Sequence, residues 1–239
     1  MNLQGNRLTW LGHATFRLET KDGVTIYIDP WLSNPFCPEE EKDPKKCDVM
    51  LCTHGHGDHI GDAVRVAKKL NPTVVGIYEL CAWMGKKGAK QISPMNKGGT
   101  QTVGGVRITM THAVHSCGIE DDDGSMVYGG EACGYVLELP GGVKLYHAGD
   151  TAVFGDMQII RELYSPEIAM LPIGDHFTMG PREAAHACTL LQPKTVIPMH
   201  FGTFPMLTGR PTELKKLLGP GGPEILEMKP GQTIGEENV

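Results

Sequence analysis

Thr53-His54-Gly55-His56-Gly57-Asp58-His59 packs four side chains able to bind a transition metal into six residues. An apolar run, Val49-Met50-Leu51-Cys52, precedes it, and residues 62–70 follow with apolar side chains at helical spacing. The motif therefore falls on a strand-to-helix turn. Imidazole and carboxylate are the donors that zinc, manganese or iron take. The two glycines let the backbone fold tightly without a Cβ clash, so that side chains at alternating positions converge on one point. A metal site is the first expectation.

A chain of 239 residues can bury a substantial core, and we read 1–239 as one domain. The apolar fraction of 40% and charged fraction of 21% are those of an ordinary globular protein. A net charge of −6 argues against a nucleic-acid partner, whose phosphates call for a basic face, and leaves a small-molecule substrate as the expectation. The seven cysteines are odd in number and form no C-x-x-C pair, which favours free, mostly buried thiols in a reducing compartment. No charged-then-apolar leader pattern and no apolar run long enough to span a bilayer is seen, so a cytoplasmic protein without a membrane segment is expected. Nothing in the sequence bears on oligomeric state.

Taken in order, residues 7–11, 15–19 and 24–28 read as strands, with a turn at Lys21-Asp22-Gly23. Gly12-His13 interrupts the first pair, and His13 reads either as a satisfied strand histidine or as a site residue. Asp29 ends the third strand, where a buried carboxylate needs a partner; the free ring nitrogen of a metal-bound histidine is a suitable one. The charged loop 32–46 reads as solvated, although its start, Trp31-Leu32-Ser33-Asn34-Pro35-Phe36, is apolar enough to wall a cleft. Further strands are expected at 73–77, 91–93, 106–111, 133–139, 143–147, 167–171 and 195–198, and helices at 62–70, 78–87, 181–191 and 212–218. Asp121-Asp122-Asp123-Gly124 reads as a loop tip without the alternating spacing of a calcium loop. Strands alternating with helices in both halves predict an α/β protein of two mixed sheets with helices outside.

Three further strand ends each offer a ligand: His115, with His112 as the weaker choice, then Asp150 and His200. Sites gather at the carboxyl ends of strands in such architectures. Seven candidate ligands exceed what one tetrahedral zinc needs, which points to two metals with Asp150 as a bridge. A closed structural zinc is the competing reading, but such sites are Cys-rich and these cysteines are not placed for one.

With His54-x-His56-x-Asp58-His59 followed by a lone His, a Gly-Asp turn and a late His, the chain resembles the metallo-β-lactamase superfamily. Within it, the chain resembles a family of metal-dependent hydrolases of unassigned substrate. The matching stretches include Trp10-Leu11-Gly12-His13, Asp29-Pro30, His115-Ser116, His147-Ala148-Gly149-Asp150-Thr151, Pro172-Ile173-Gly174, Phe177-Thr178-Met179 and Pro198-Met199-His200, and they run from about residue 7 to about residue 230. N-acyl-phosphatidylethanolamine phospholipase D and L-ascorbate-6-phosphate lactonase are more distantly similar, mainly over the metal motifs. The resemblance implies a four-layer αββα sandwich with the site at the shared edge of two sheets. It also implies that His54, His56 and His115 bind a first metal, and Asp58, His59 and His200 a second, with Asp150 bridging and Asp29 behind the ligands. His176 departs from the pattern, standing where a non-coordinating polar residue is expected.

The function expected is hydrolysis of an ester-type bond, phosphodiester or lactone, by a metal-bound hydroxide. Two divalent ions, zinc first with manganese, iron or nickel as alternatives, would generate it. Asp58 and Asp150 are then catalytic as well as ligating, and His147, His176 and His13 are the candidate proton donors. Two rival classes stand beside this one: a non-heme iron redox enzyme on the same fold, and a metal-binding module without catalysis.

Overall fold

The N-terminal segment alternates turn residues with apolar and aromatic ones, and it folds as an antiparallel meander of β1 (Arg7–Trp10), β2 (Phe16–Glu19) and β3 (Thr25–Ile28). A computed structural model describes residues 1–235 of the chain. On one side of the meander β4 (Val49–Leu51), β5 (Thr73–Ile77) and β6 (Gln91–Met95) continue the sheet in parallel. A second sheet begins with β7 (Thr100–Val103) and β8 (Val106–His112), and β9 (Gly118–Glu120) and β10 (Met126–Tyr128) form a separate hairpin. The second sheet continues through β11 (Cys133–Glu138) and β12 (Lys144–His147), joined antiparallel. It ends with β13 (Ile168–Pro172), β14 (Thr195–Met199) and β15 (Glu224–Ile225), all parallel. The last strand, β16 (Thr233–Ile234), returns to pair with β1. Each large sheet has seven strands, in the orders β16-β1-β2-β3-β4-β5-β6 and β15-β14-β13-β12-β11-β8-β7.

Side-chain alternation along the strands sorts the core into layers. Tyr135 and Leu137 of β11 join Leu8, Phe16, Ile28 and Leu51 of the other sheet in the main core. Val136, between them, points the opposite way and packs with Tyr146, Ala169 and Leu171. That outer face is covered by α4 (Met157–Tyr164), α5 (Pro181–Leu191) and α6 (Pro211–Leu218), through Met157, Ile160, Ala184, Leu191 and Leu214. The first sheet carries α1 (Gly57–Ile60), α2 (Ala63–Leu70) and α3 (Tyr78–Lys86), of which α2 and α3 add Val66, Leu80 and Met84 to the main core. The result is the two mixed sheets with helices outside that the alternating pattern predicts. Each fully buried large apolar side chain contributes about 1.5–3 kcal/mol.

Several local features differ from expectation. The helix begins at Gly57, inside the motif, so Asp58 and His59 ride on the first turn of α1. Gly61 stands between α1 and α2, and glycine is needed there, since a Cβ would lie 2.5 Å from the Gly57 carbonyl oxygen and 2.9 Å from the Trp31 ring. β7, β9, β10, β15, β16 and α4 are additions to the expected elements; the strands are two to four residues long, too short to show a period. The seven cysteines are free and buried, as their spacing suggests. Among the described residues no helix is long and apolar enough to cross a membrane.

The sheet edge that carries the site is tightly built. At Gly174, just past β13, a Cβ would lie 2.0 Å from the His200 carbonyl oxygen. Gly174→Ala is therefore expected to cost about 1–3 kcal/mol and to lower Tm by roughly 2–12 °C. Gly155→Ala, where nothing lies within 4 Å of the added atom, should stay within about 2 °C of the parent. Thermal denaturation followed by circular dichroism checks both.

Candidate metal centre

Loops at the ends of β1, β3, β4, β8, β12 and β14 deliver His13, Asp29, the 53–59 motif, His115, Asp150 and His200 to one place. Three of these residues, His13 (φ 52°), Asp29 (φ 47°) and His200 (φ 54°), adopt left-handed backbone conformations that non-glycine residues rarely take. Gly149 has φ 63°, and a Cβ there would lie 2.5 Å from the Cys133 carbonyl oxygen. Only glycine lets the chain turn so sharply into Asp150.

Behind the cluster lies the Asp29 carboxylate, which is fully buried. Its Oδ1 accepts the Thr53 backbone N–H at 2.7 Å, and its Oδ2 accepts the Thr53 hydroxyl at 2.6 Å and His59 Nδ1–H at 2.8 Å. The Thr53 hydroxyl has spent its one proton on Asp29, so its 3.0 Å contact with His54 Nδ1 is an N–H donated to the hydroxyl. These bonds fix two tautomers. His54 and His59 each carry the proton on Nδ1 and turn an Nε2 lone pair inward, the arrangement by which a histidine is prepared for a metal. Asp29 thus finds the partner that the sequence calls for.

In front, the donor atoms fall into two groups. Those of His54, His56 and His115 lie within 4.8 Å of one another, and so do those of His13, Asp58, His59 and His200. His54 Nε2 and His115 Nε2 lie 3.0 and 3.3 Å from His56 Nδ1, whose other nitrogen is 3.2 Å from Ser116 Oγ. Asp150 Oδ2 sits between the groups, 3.0 Å from His200 Nε2, 3.2 Å from His59 Nε2, 3.7 Å from His115 Nε2 and 3.9 Å from His54 Nε2. Asp58 Oδ2 lies 3.7 Å from His200 Nε2 and 4.0 Å from His59 Nε2. A further grouping of Asp29 with His54 and His59 reflects the hydrogen bonds behind the rings, since both Asp29 oxygens are already engaged.

The charges follow from this crowding. Burial alone would raise the Asp150 carboxyl, but His200 and His59 outweigh it and hold the group well below the usual carboxylate range. Burial likewise works against ionisation of Asp58, and the hydrogen bond from His13 and the nearby rings of His200 and His59 overcome it. Burial lowers His59 and His200, yet the carboxylates of Asp150 and Asp29 carry the first well up, and those of Asp150 and Asp58 carry the second to about 9. His54 is pushed well down by burial and by the charge of His59, and burial is also the leading cause of the lowered His56 and His115. The buried Asp150 and the half-buried Asp58 thus call for positive charge at the point where the imidazoles meet.

Metal ions fit that demand on the structure's own terms. His59 Nε2, both ring nitrogens of His200 and Asp150 Oδ1 are buried without hydrogen-bond partners, an arrangement that costs free energy unless something occupies the space between them. Donors bound to one zinc at about 2.0–2.1 Å lie about 3.3 Å apart, close to the separations here. Residues 7–200 match the beta-lactamase superfamily domain. The chain is 64% identical over 234 residues to a UPF0173 metal-dependent hydrolase of Koribacter versatilis, covering 98% of this chain and 99% of that one. The chain belongs to this family of metal-dependent hydrolases. A metallo hydrolase from the hyperthermophilic archaeon Ignicoccus hospitalis is similar to this hydrolase at 37% identity and TM-score 0.84, covering 96% of this chain and 97% of that chain. A diiron β-hydroxylase from Streptomyces venezuelae, 14% identical with TM-score 0.72 and covering 94% of this chain and 53% of its own, shares the fold alone.

Not every expected site residue joins the cluster. In this hydrolase His147 is fully buried, its Nε2–H donated to the Ala14 carbonyl at 3.1 Å and its Nδ1 accepting the Gly149 N–H at 3.1 Å. Both nitrogens serve the backbone, and the ring braces the turn before Asp150. His176 lies exposed on the loop after β13, its ring edge-on to Phe177, outside the donor groups. His112 points to Lys97 Nζ at 3.0 Å and leaves the lone-His position to His115. Thr203 and Phe204, on the loop after His200, also reach the cluster, the first through its hydroxyl 2.9 Å from His13 Nδ1 and the second edge-on to the His13 ring; neither carries a sequence signal, because these partners are remote in the chain. Asp29→Asn would set an amide N–H against the donors of Thr53 or His59. It is expected to weaken metal binding by roughly 10–100-fold, measured by competition with a chromophoric chelator.

Proposed function

We propose that this hydrolase holds two divalent ions, zinc by the chemistry of the donors, and cleaves an ester-type bond, phosphodiester or lactone, in a small-molecule substrate. His54, His56 and His115 would hold the first ion and Asp58, His59 and His200 the second, with Asp150 shared. The observation that supports this most directly is that a single Asp150 oxygen faces His54 and His115 at 3.9 and 3.7 Å and His59 and His200 at 3.2 and 3.0 Å. Such ions, when bound, polarise the electrophile's oxygen and lower the pKa of water from 15.7 to about 7.

The chain's own residues orient these donors and shape the approach. Asp29 and Thr53 keep His54 and His59 in the metal-ready tautomer, and Ser116 steadies His56. Burial pushes the Cys52 and Cys133 thiols up, away from the thiolate a nucleophile needs. On the Asp58 side Trp31 and Phe204 stack with centroids 5.8 Å apart, and both meet the His13 ring edge-on, which gives that side an apolar wall. With both His147 nitrogens engaged, His176 is the candidate for leaving-group protonation. It follows β13, whose carboxyl end lies between those of β12 and β14, the strands that carry Asp150 and His200.

The test is a turnover screen of zinc-loaded and chelator-stripped protein against phosphodiester, lactone and thioester panels. Turnover is expected in an ester-type panel, lost on stripping and restored by zinc, and Asp150→Ala should lower it by roughly 10²–10³-fold while reducing bound metal. Full turnover and full metal content in Asp150→Ala would sink the reading. Oxygen-dependent turnover with a visible iron signal would favour the redox class instead.

A further inference from the structure

We propose that His13 is a positioning residue for the second metal position: it sets the separation of Asp58 and His200, which reach the site from opposite halves of the chain. This rests on the two-ion reading above. His13 is fully buried, and each of its polar atoms other than its backbone nitrogen meets a partner from elsewhere in the site. Its carbonyl oxygen accepts the His200 N–H at 3.0 Å and the Trp10 indole N–H at 3.0 Å. Its Nε2 faces Asp58 Oδ2 at 3.1 Å and its Nδ1 faces Thr203 Oγ1 at 2.9 Å. Its ring lies against the His200 ring, with centroids 3.9 Å apart.

The turn that presents His13 is built for the purpose. Gly12 precedes it at φ 93°, where a Cβ would lie 2.5 Å from Asn34 Oδ1. The Asn34 amide is itself locked, donating to the Leu11 and Trp31 carbonyls and accepting the Phe36 and Cys37 N–H groups. Leu11 N–H to the Thr15 carbonyl and Thr15 N–H to the Gly12 carbonyl close the loop. A histidine held left-handed in such a frame carries strain of about 1–3 kcal/mol, which persists only where the surroundings over-determine it.

The ring's partners decide its role. An ionised carboxylate only accepts, so Nε2 carries the proton toward Asp58 and Nδ1 accepts the Thr203 hydroxyl. His13 therefore turns an N–H rather than a lone pair toward the donor cluster, and it orients Asp58 without itself ligating. His200 depends on it in a second way: its ring nitrogens make no aligned hydrogen bond, and its Nε2 has only the charge contacts of Asp150 Oδ2 at 3.0 Å and Asp58 Oδ2 at 3.7 Å. Its backbone bond to His13 and the packing of the two rings add to those contacts in fixing where it stands. The first group is anchored differently, by Thr53 behind His54 and Ser116 beside His56. Loss of His13 should thus loosen the second ion and spare the first.

The experiment measures zinc stoichiometry and stepwise affinity by chelator competition on the full chain. The parent is compared with His13→Asn, which tolerates the left-handed backbone but is too short to reach Asp58, and with His13→Gln, whose amide can reach it. Two ions are expected in the parent. In His13→Asn the first should stay within roughly threefold of the parent affinity and the second should weaken by roughly 10–100-fold, with His13→Gln recovering part of that loss. Thr203→Val, which keeps His13 but frees its Nδ1, should weaken the second ion by several-fold and decides the matter if His13→Asn does not fold. A folded His13→Asn or Thr203→Val that binds both ions as the parent does, or that loses both together, overturns the role of His13 alone. A parent that binds fewer than two ions overturns the two-ion reading and this proposal with it.

Discussion

The Asp150 carboxylate, only 2% exposed, is the constraint around which this site is arranged. An ionised carboxylate removed from water costs several kcal/mol unless it is paired in good geometry. No single loop of this chain supplies enough partners. The imidazoles that meet Asp150 come from the loop after β4, from α1, from the loop after β8 and from the loop after β14. Compensating one buried charge therefore draws together segments of both sheets, and it does so at the edge where the strands end and the loops are free to converge.

That convergence is held by backbone conformations the chain would otherwise avoid. His13, Asp29 and His200 are all left-handed, at a cost of about 1–3 kcal/mol each. They are bound to the structure and to one another: the carbonyl of His13 takes the N–H of His200, and both Asp29 oxygens are spent on Thr53 and His59. The interior between the sheets, from Leu8 and Phe16 to Tyr135 and Leu137, supplies the stability that this arrangement draws upon. The burial that supports the strands also shifts the site's ionisations, lowering His54 while the carboxylates raise His59 and His200.

Much of the architecture was legible because its signals are local. The helix at Pro181–Leu191 matches its expected bounds, since a proline at its start and apolar periodicity mark it without help from elsewhere. Strands such as Thr73–Ile77 announce themselves as short β-branched runs. The two-residue pairings of β15 and β16 had no such mark, being defined by the neighbours they meet. The surroundings of His147 were hidden for a related reason: the carbonyl that takes its proton belongs to Ala14, 133 residues away in the chain.

The sequence by itself determined the chemistry of the donors. Imidazoles and carboxylates at strand ends, spaced by glycines, specify a hard-to-borderline metal site and exclude a thiolate one. Tertiary structure alone decided which nitrogen of each ring faces the cluster. A histidine's tautomer is set by whatever its other nitrogen meets, and for His59 and His13 those partners lie 30 and 190 residues away, in Asp29 and Thr203. It also decided that one Asp150 oxygen stands between the two histidine groups, because only the packing of one sheet against the other places the end of β12 beside the turn at His54.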